Sequence, residues 1–405
     1  MHIANLLAED FDPRVAADPH RFTIVLGGPL YQLLRRAHVS GDALELARRR
    51  VVVIALLAWL PLLVLAILGG EAFSGPAIPF VKDVEAHVRF LVALPLLVAA
   101  EVLVHWRIRP VAEEFLARRL VPEASLQRFR AILLSAFRWR NSVVAELAML
   151  AFIYGIGIPL VWRHFTTLDV ATWYAKPFAD GPHFTLAGYW YAYVSVPLFQ
   201  FLLLRWYYRI AIWIRFLWQV SRIRLDISAM HADQAGGLGF LATTVFAFLP
   251  LIVAHGALLS GNLANRIFYA GGHLADSYAE IGLLVAFMLV LVLGPLTVFA
   301  PQVNEALRRV SFDYGRLAQR YVRDFEGKWI RPGGLADESP LGTGDIQSLA
   351  DMGNSLSAAK ATNVVPITRQ AVVQVVVATL LPIAPLLLTV IPAKELAGRL
   401  LKLLF

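Results

Sequence analysis

The chain has 405 residues, 58% of them hydrophobic and 16% charged, with a mean hydropathy of +0.62 and a formal charge of +8. A soluble chain carries about a quarter charged residues and less apolar content, so this composition predicts an integral membrane protein. There is no cysteine, which excludes disulfides, thiolate metal sites and cysteine nucleophiles. The basic residues flank apolar runs, so membrane orientation accounts for the charge and no nucleic-acid partner is predicted.

Residues 1–50 are polar and arginine-bearing, lack the pattern of a cleavable signal peptide and read as a cytoplasmic N-terminal segment. Seven apolar runs then reach the roughly 20 residues of helix that a hydrocarbon core requires. They lie near 51–69, 84–106, 142–162, 187–206, 240–260, 281–300 and 371–391. Helix is the state expected for each, because backbone groups in lipid must be satisfied within the segment.

The fourth run opens on Tyr189, Trp190, Tyr191 and Tyr193 and closes on Trp206, Tyr207 and Tyr208. Positions 190 and 206 are roughly 24 Å apart on a helix, which matches two interfacial belts. Its helical pattern continues through 210–225, and the sixth run leads into a charged amphipathic stretch at 302–325. Residues 331–370 read as a loop with one short helix whose buried stripe is Ile346, Leu349, Gly353 and Leu356. The tail 393–405 has leucines at a four-residue spacing and reads as an amphipathic interfacial helix. The fold predicted is an all-α integral membrane protein of about seven transmembrane helices, two of them extended into the cytoplasm, with no β domain. Its parts are the segment 1–50, a six-span bundle over 51–300, a cytoplasmic helix and loop over 301–370, and a seventh span with the C-terminal helix over 371–405.

Lysine and arginine divide unevenly between the two faces. The segments 1–50, 107–141, 207–239 and 301–370 carry 28 of them, against 7 on the other face. The positive-inside rule therefore places the N-terminus in the cytoplasm. Seven spans put the C-terminus in the periplasm, a side that suits Lys394, Arg399 and Lys402 poorly.

The strings HADQAGGLGFL (231–241), GTGDIQSLADMGNS (342–355) and PLLLTVIPAKELAGRLLKLLF (385–405) resemble a group of bacterial multi-pass membrane proteins with no established activity. Ala232 stands where members more often carry proline. The resemblance covers the half of the chain from about Trp190 onward. It implies a bacterial inner-membrane protein and assigns no catalytic residue.

Every span contains a proline: Pro61, Pro95, Pro159, Pro197, Pro250, Pro295, and the pair Pro382 and Pro385. Each frees a carbonyl one turn earlier and bends the helix. Transporters and channels use such breaks to present carbonyls to a solute, and proline is also simply frequent in membrane helices.

Polar side chains inside the spans are the sharper signal, because charge in hydrocarbon is costly. Glu101 and His105 lie one turn apart near the cytoplasmic end of the second span. Glu146 lies near the start of the third, Arg205 at the end of the fourth, Thr243 and Thr244 near the start of the fifth, and Gln374 near the start of the seventh. Counted from each cytoplasmic end, they share a depth. This predicts a pore or a proton or ion path formed by Glu101, His105, Glu146, Arg205 and Gln374. The glutamates would attract cations or carry protons, with Arg205 as gate or counter-ion. The alternative is a staple in which Glu146 pairs with Arg205 while His105 and Trp206 sit at the headgroups. A pore requires a continuous wet path, which a sealed ion pair would not provide. In the other half, Glu85 and Arg89 form an i,i+4 pair and His255 accompanies Asn262 and Asn265. A lone histidine there is more often hydrogen-bonded core than ligand.

The stretch MHADQAGGLGF (230–240) offers His231, Asp233, Gly236 and Gly237 at the cytoplasmic mouth, either as a ligand site or as a turn. The glycines could form an anion nest, and Asp233 could equally fill that place as a helix cap. No HExxH, GxSxG, Walker-type loop or dinucleotide fingerprint occurs, so no catalytic residue, metal or cofactor is assigned. Three functions are consistent with these residues. The first is an ion channel or small-solute transporter, homo-oligomeric, whose partners are the lipid bilayer and an inorganic ion or small solute. The second is a membrane-embedded enzyme acting on a lipid or lipid-linked phosphate at the inner leaflet, with His231 and Asp233 as base and metal ligand. The third is a scaffold binding a cytoplasmic partner through an exposed apolar patch on 207–225 or 302–326.

Overall fold

The computed structural model of the chain describes residues 22–28, 47–158, 172–178, 181–331 and 343–389. Most of the N-terminal segment, the end of the third apolar run and the expected C-terminal helix lie outside these residues.

Helix α1 (Ala47–Leu68) begins on three arginines and is then apolar on every side. Ala58, Leu62 and Ala66 are fully buried at a four-residue spacing, while Leu56, Leu57, Leu60 and Val64 are about half exposed. One stripe packed on protein and the rest apolar is the pattern of a helix bathed by lipid. Helix α2 (Val84–Ala117) is capped by Asp83, whose carboxylate accepts from Ala86 N at 3.0 Å. Helices α3 (Leu126–Arg140) and α4 (Val143–Gly157) follow, with Ser142 capping α4 through Ala145 N. A short hairpin pairs β1 (Ala175–Phe178) with β2 (Gly181–Phe184), Ala175 opposite Phe184. It was not foreseen from the sequence, and it is a loop ornament rather than a domain. Helices α5 (Leu186–Val220), α6 (Gly239–Tyr269), α7 (Leu274–Ile330), α8 (Gly344–Lys360) and α9 (Arg369–Leu380) complete the order.

Among the described residues, five helices (α1, α2, α5, α6 and α7) are long and apolar enough to cross a membrane. The protein is all-α and multi-pass by that measure, and the described residues do not confirm the expected count of seven. Helix α9 stops at Leu380, two residues before Pro382, which has no N–H to donate to a continuing turn. A 3-10 turn, Ala384–Thr389, follows. Helices α5 and α7 run 35 and 57 residues. These are roughly 50 and 85 Å at 1.5 Å per residue, against a core of about 30 Å, so both outrun a bilayer as expected.

Pro61 and Pro250 lie inside continuous α-helix, and other prolines follow changes of pitch. Three π turns, Val88–Ala93, Ile153–Gly157 and Tyr191–Ser195, each end two residues before Pro95, Pro159 and Pro197. In α7 the 3-10 turn Gly294–Phe299 has Pro295 as its second residue. A missing N–H is thus absorbed as a local change of helical pitch.

Helix α6 is the centre of the bundle and packs on α2, α7 and α9. Its glycines set the closest approaches: a Cβ on Gly256 would lie 2.3 Å from the carbonyl oxygen of Thr379, and one on Gly261 3.2 Å from Glu85 Cα. Small residues at such crossings let backbones meet. Beyond the spans, α7 carries α8 through Asp345, which accepts from Lys328 Nζ at 2.9 Å and Trp329 Nε1 at 3.0 Å. The expected stripe on α8 is only half right. Leu349 and Leu356 are partly buried, but Ile346 and Gly353 are exposed, and Ala359 is the buried residue instead.

Candidate functional site

On α5, Arg205 and Arg209 are one turn apart and share a face. Between them Trp206 donates from Nε1 to Leu97 O at 2.8 Å, which fixes α5 against α2 one turn before Glu101. The Arg209 guanidinium lies over the Trp206 ring. Its Nη1 donates to Glu101 Oε1 at 2.7 Å, and Arg205 Nη1 stands 3.7 Å from the same oxygen. Arg50, from the first turn of α1, contacts the other oxygen of Glu101. Arg205 Nε is 3.3 Å from Glu146 Oε1 on α4. Four helices therefore deliver five ionisable side chains to one layer, none of them more than 8% exposed. Removing a carboxylate or guanidinium from water costs several kcal/mol even after relaxation, so only mutual contact makes such a layer tolerable.

The layer is covered by a peptide rather than a helix. Residues 22–28, FTIVLGG, insert with Phe22, Ile24 and Val25 buried to 1% or less. Phe22 packs between Phe137 of α3 and Phe216 of α5. Thr23 Oγ1 accepts from Val25 N and Leu26 N and lies 3.2 Å from His105 Nδ1. Alternate carbonyls then accept from arginines: Thr23 O from Arg140 at 3.1 Å, Val25 O from Arg209 at 3.4 Å and Gly27 O from Arg205 at 3.2 Å. Gly28 has φ +90°, and a Cβ there would lie 3.1 Å from Glu146 Oε1, so the chain approaches the layer only as glycine.

Of the residues predicted for the path, Glu101, Glu146 and Arg205 meet directly, and His105 joins through Thr23. Arg50, Arg209 and residues 22–28 were missed. Gln374 does not join the ion pairs: it lies on α9, and its Oε1 has no hydrogen-bond partner among the described residues. Thr243 and Thr244 turn back to Phe240 O and Leu241 O of their own helix. Trp206 is 1% exposed and packed in the protein core. Among the described residues the layer is tightly packed. Between Gly27, Arg140, Glu146, Arg205 and Tyr208 the described residues leave about 10 Å³, near the space of one water-sized sphere. Three arginines enter where one was expected, and the inserted peptide fills the rest.

A second polar cluster lies at the opposite ends of α2 and α6. Asp83 accepts from Trp173 Nε1 at 2.8 Å and Asn265 Nδ2 at 2.8 Å, Glu85 pairs with Arg89, and Arg89 donates to Tyr191 OH at 2.5 Å. His255 is a satisfied core histidine. Its Nδ1 faces Leu251 O at 2.8 Å, so Nε2 accepts from Tyr207 OH at 2.6 Å.

The stretch 230–240 resolves as a turn. Asp233 accepts from Ala235 N at 2.9 Å, Gly237 N at 3.0 Å and Gly239 N at 2.8 Å, so its own carboxylate occupies the glycine nest. Gln234, Gly236 and Gly237 all have positive φ. Burial opposes the charged form of Asp233, but the three N–H donors and His231 outweigh it and hold the carboxyl below the usual range. His231 is largely exposed and rests 2.9 Å from Asp233. The turn docks on Arg118, which is 17 residues or about 25 Å along α2 from Glu101, so it is not adjacent to the ionic layer. Among the described residues no group of three His, Cys, Asp or Glu side chains is placed to hold a metal. Comparison of the whole chain with family models, curated proteins and solved structures found no match, so the function rests on this geometry.

Proposed function

We propose that the protein is a gated ion channel or small-solute transporter of the bacterial inner membrane, with the buried ionic layer as its gate and the present conformation closed. One observation carries this reading: five ionisable groups from four helices meet inside an apolar bundle and are covered by a short peptide. A staple between two helices needs one ion pair, and intramembrane charge is otherwise a mark of a solute or proton pathway. Under this reading the basic end faces the cytoplasm, α4 and α9 complete seven spans, the C-terminus is periplasmic, and the assembly is a homo-oligomer. The enzyme reading loses its anion cradle, because Asp233 fills it.

The test is flux across liposomes carrying the purified chain, with and without residues 1–28. The gate reading expects the truncated chain to conduct several-fold faster than the parent. A correctly folded, monodisperse truncated chain that shows no flux under any gradient contradicts it.

The scaffold reading keeps one specific observation. Phe312 and Leu317 are 68% and 48% exposed on the charged half of α7. Capture of a defined partner through these residues, lost in Phe312→Ser without loss of folding, would favour it.

A further inference from the structure

The carboxylates of the layer suggested cations when read from sequence. From the assembled geometry we infer that the layer binds and passes a small inorganic anion, an inference that rests on the transport role proposed above. Three observations carry it. The first is charge: among the described residues, Arg50, Arg205 and Arg209 face only Glu101 and Glu146, which leaves one guanidinium over. A cluster that merely joined helices would be least costly when neutral, because an uncompensated buried charge is the expensive case.

The second observation is an unused donor. Arg50 is 1% exposed, yet its Nε has no hydrogen-bond acceptor among the described residues. Buried donors are nearly always satisfied, and an exception marks a site that needs an explanation.

The third is the identity of the acceptors that the inserted peptide supplies. Val25 O and Gly27 O, both neutral, take the hydrogen bonds of Arg209 and Arg205. A guanidinium bond to an anion adds the attraction between opposite full charges, which a neutral carbonyl does not supply. An anion therefore outcompetes the peptide for the same donors, while a cation meets three guanidiniums and two carboxylates already engaged. The peptide is a built-in stand-in for the anion, and anion entry and peptide release are one event. The planar fork of arginine suits nitrate as well as chloride, so the class is the small inorganic anion.

The experiment records currents from the reconstituted full chain in a planar bilayer under a potassium chloride gradient. In parallel it follows thermal unfolding of the detergent-solubilised chain in chloride, nitrate and gluconate. The expected result is reversal near the chloride potential, with chloride favoured over potassium by about tenfold or more. Unfolding shifts upward in chloride or nitrate relative to gluconate, and Arg50→Gln loses both the selectivity and the shift. Arg209→Gln repeats the test should Arg50→Gln fail to fold. Reversal near the potassium potential overturns the anion inference and leaves transport standing. No current, with anion-specific stabilisation that Arg50→Gln removes, supports the anion site and overturns transport. No current and no anion-specific shift overturns both.

Discussion

Arg209 and Glu101, 108 residues apart in the chain, meet at 2.7 Å in the centre of the ionic layer. The contact joins α2 to α5 at the point where Arg50 and Arg205 also reach Glu101. Glu101 is therefore the hub, and its removal strands three guanidiniums with one carboxylate. Glu101→Gln is expected to destabilise the chain by roughly 3–5 kcal/mol, the range for breaking a buried pair. Adding Arg209→Gln should recover part of that loss. Reversible unfolding in mixed micelles of the two single variants and the double variant measures the coupling. Additive losses would mean that the pair is not the structural link described.

The turn at Asp233 makes a pH-dependent prediction. A folded-state carboxyl held below the usual range contributes stability that is fully present above the unfolded value of about 3.9 and is lost as pH falls through the folded value. Asp233→Asn should thus be less stable than the parent by a constant amount from neutral pH down to about 5, and the gap should close below about 4. His231→Ala, at an exposed position, should change stability by no more than about 0.5 kcal/mol. Thermal unfolding across pH checks both. A large His231→Ala effect would revive that histidine as a functional group.

Gly256 tests the packing of α6 on α9. An alanine methyl would stand 2.3 Å from Thr379 O, a backbone atom that cannot rotate away. Gly256→Ala is expected to cost about 1–3 kcal/mol by overpacking. Gly282 on α7, with open space around it, should accept alanine with little change. Equal effects at the two positions would contradict the close crossing.

The sequence made much of this legible, for physical reasons that can be named. Glu101, Glu146 and Arg205 stood out because charge in an apolar run is rare and their depths agreed. The two helix extensions were visible because amphipathic periodicity continued past the apolar runs. Arg50 and Arg209 stayed hidden because each sits at the edge of a run, where arginine is ordinary and explains itself as an orienting flank. The signal that marks Arg209 is its i,i+4 relation to Arg205. Residues 22–28 were hidden because an apolar stretch this short is no span, and nothing local says that it will be buried. The seven-span count is not confirmed for a related reason: hydropathy does not show that α9 ends at Leu380, two residues before Pro382. Gly236 and Gly237 read first as a turn with a ligand site as the alternative, and the three N–H donors on Asp233, which fill the nest, could not be read from sequence.

The central claim, that residues 22–28 are the moving part of a gate, can be tested by tethering them. Because the native chain has no cysteine, Phe22→Cys with Phe216→Cys gives a clean pair at rings whose centroids are 4.6 Å apart, away from the charged layer. The measurement is anion flux through reconstituted protein before and after a short bifunctional thiol reagent, with the extent of cross-linking read by mass spectrometry. The account predicts that cross-linked protein does not conduct and that cleaving the linker restores flux. Undiminished flux through fully cross-linked protein would contradict it.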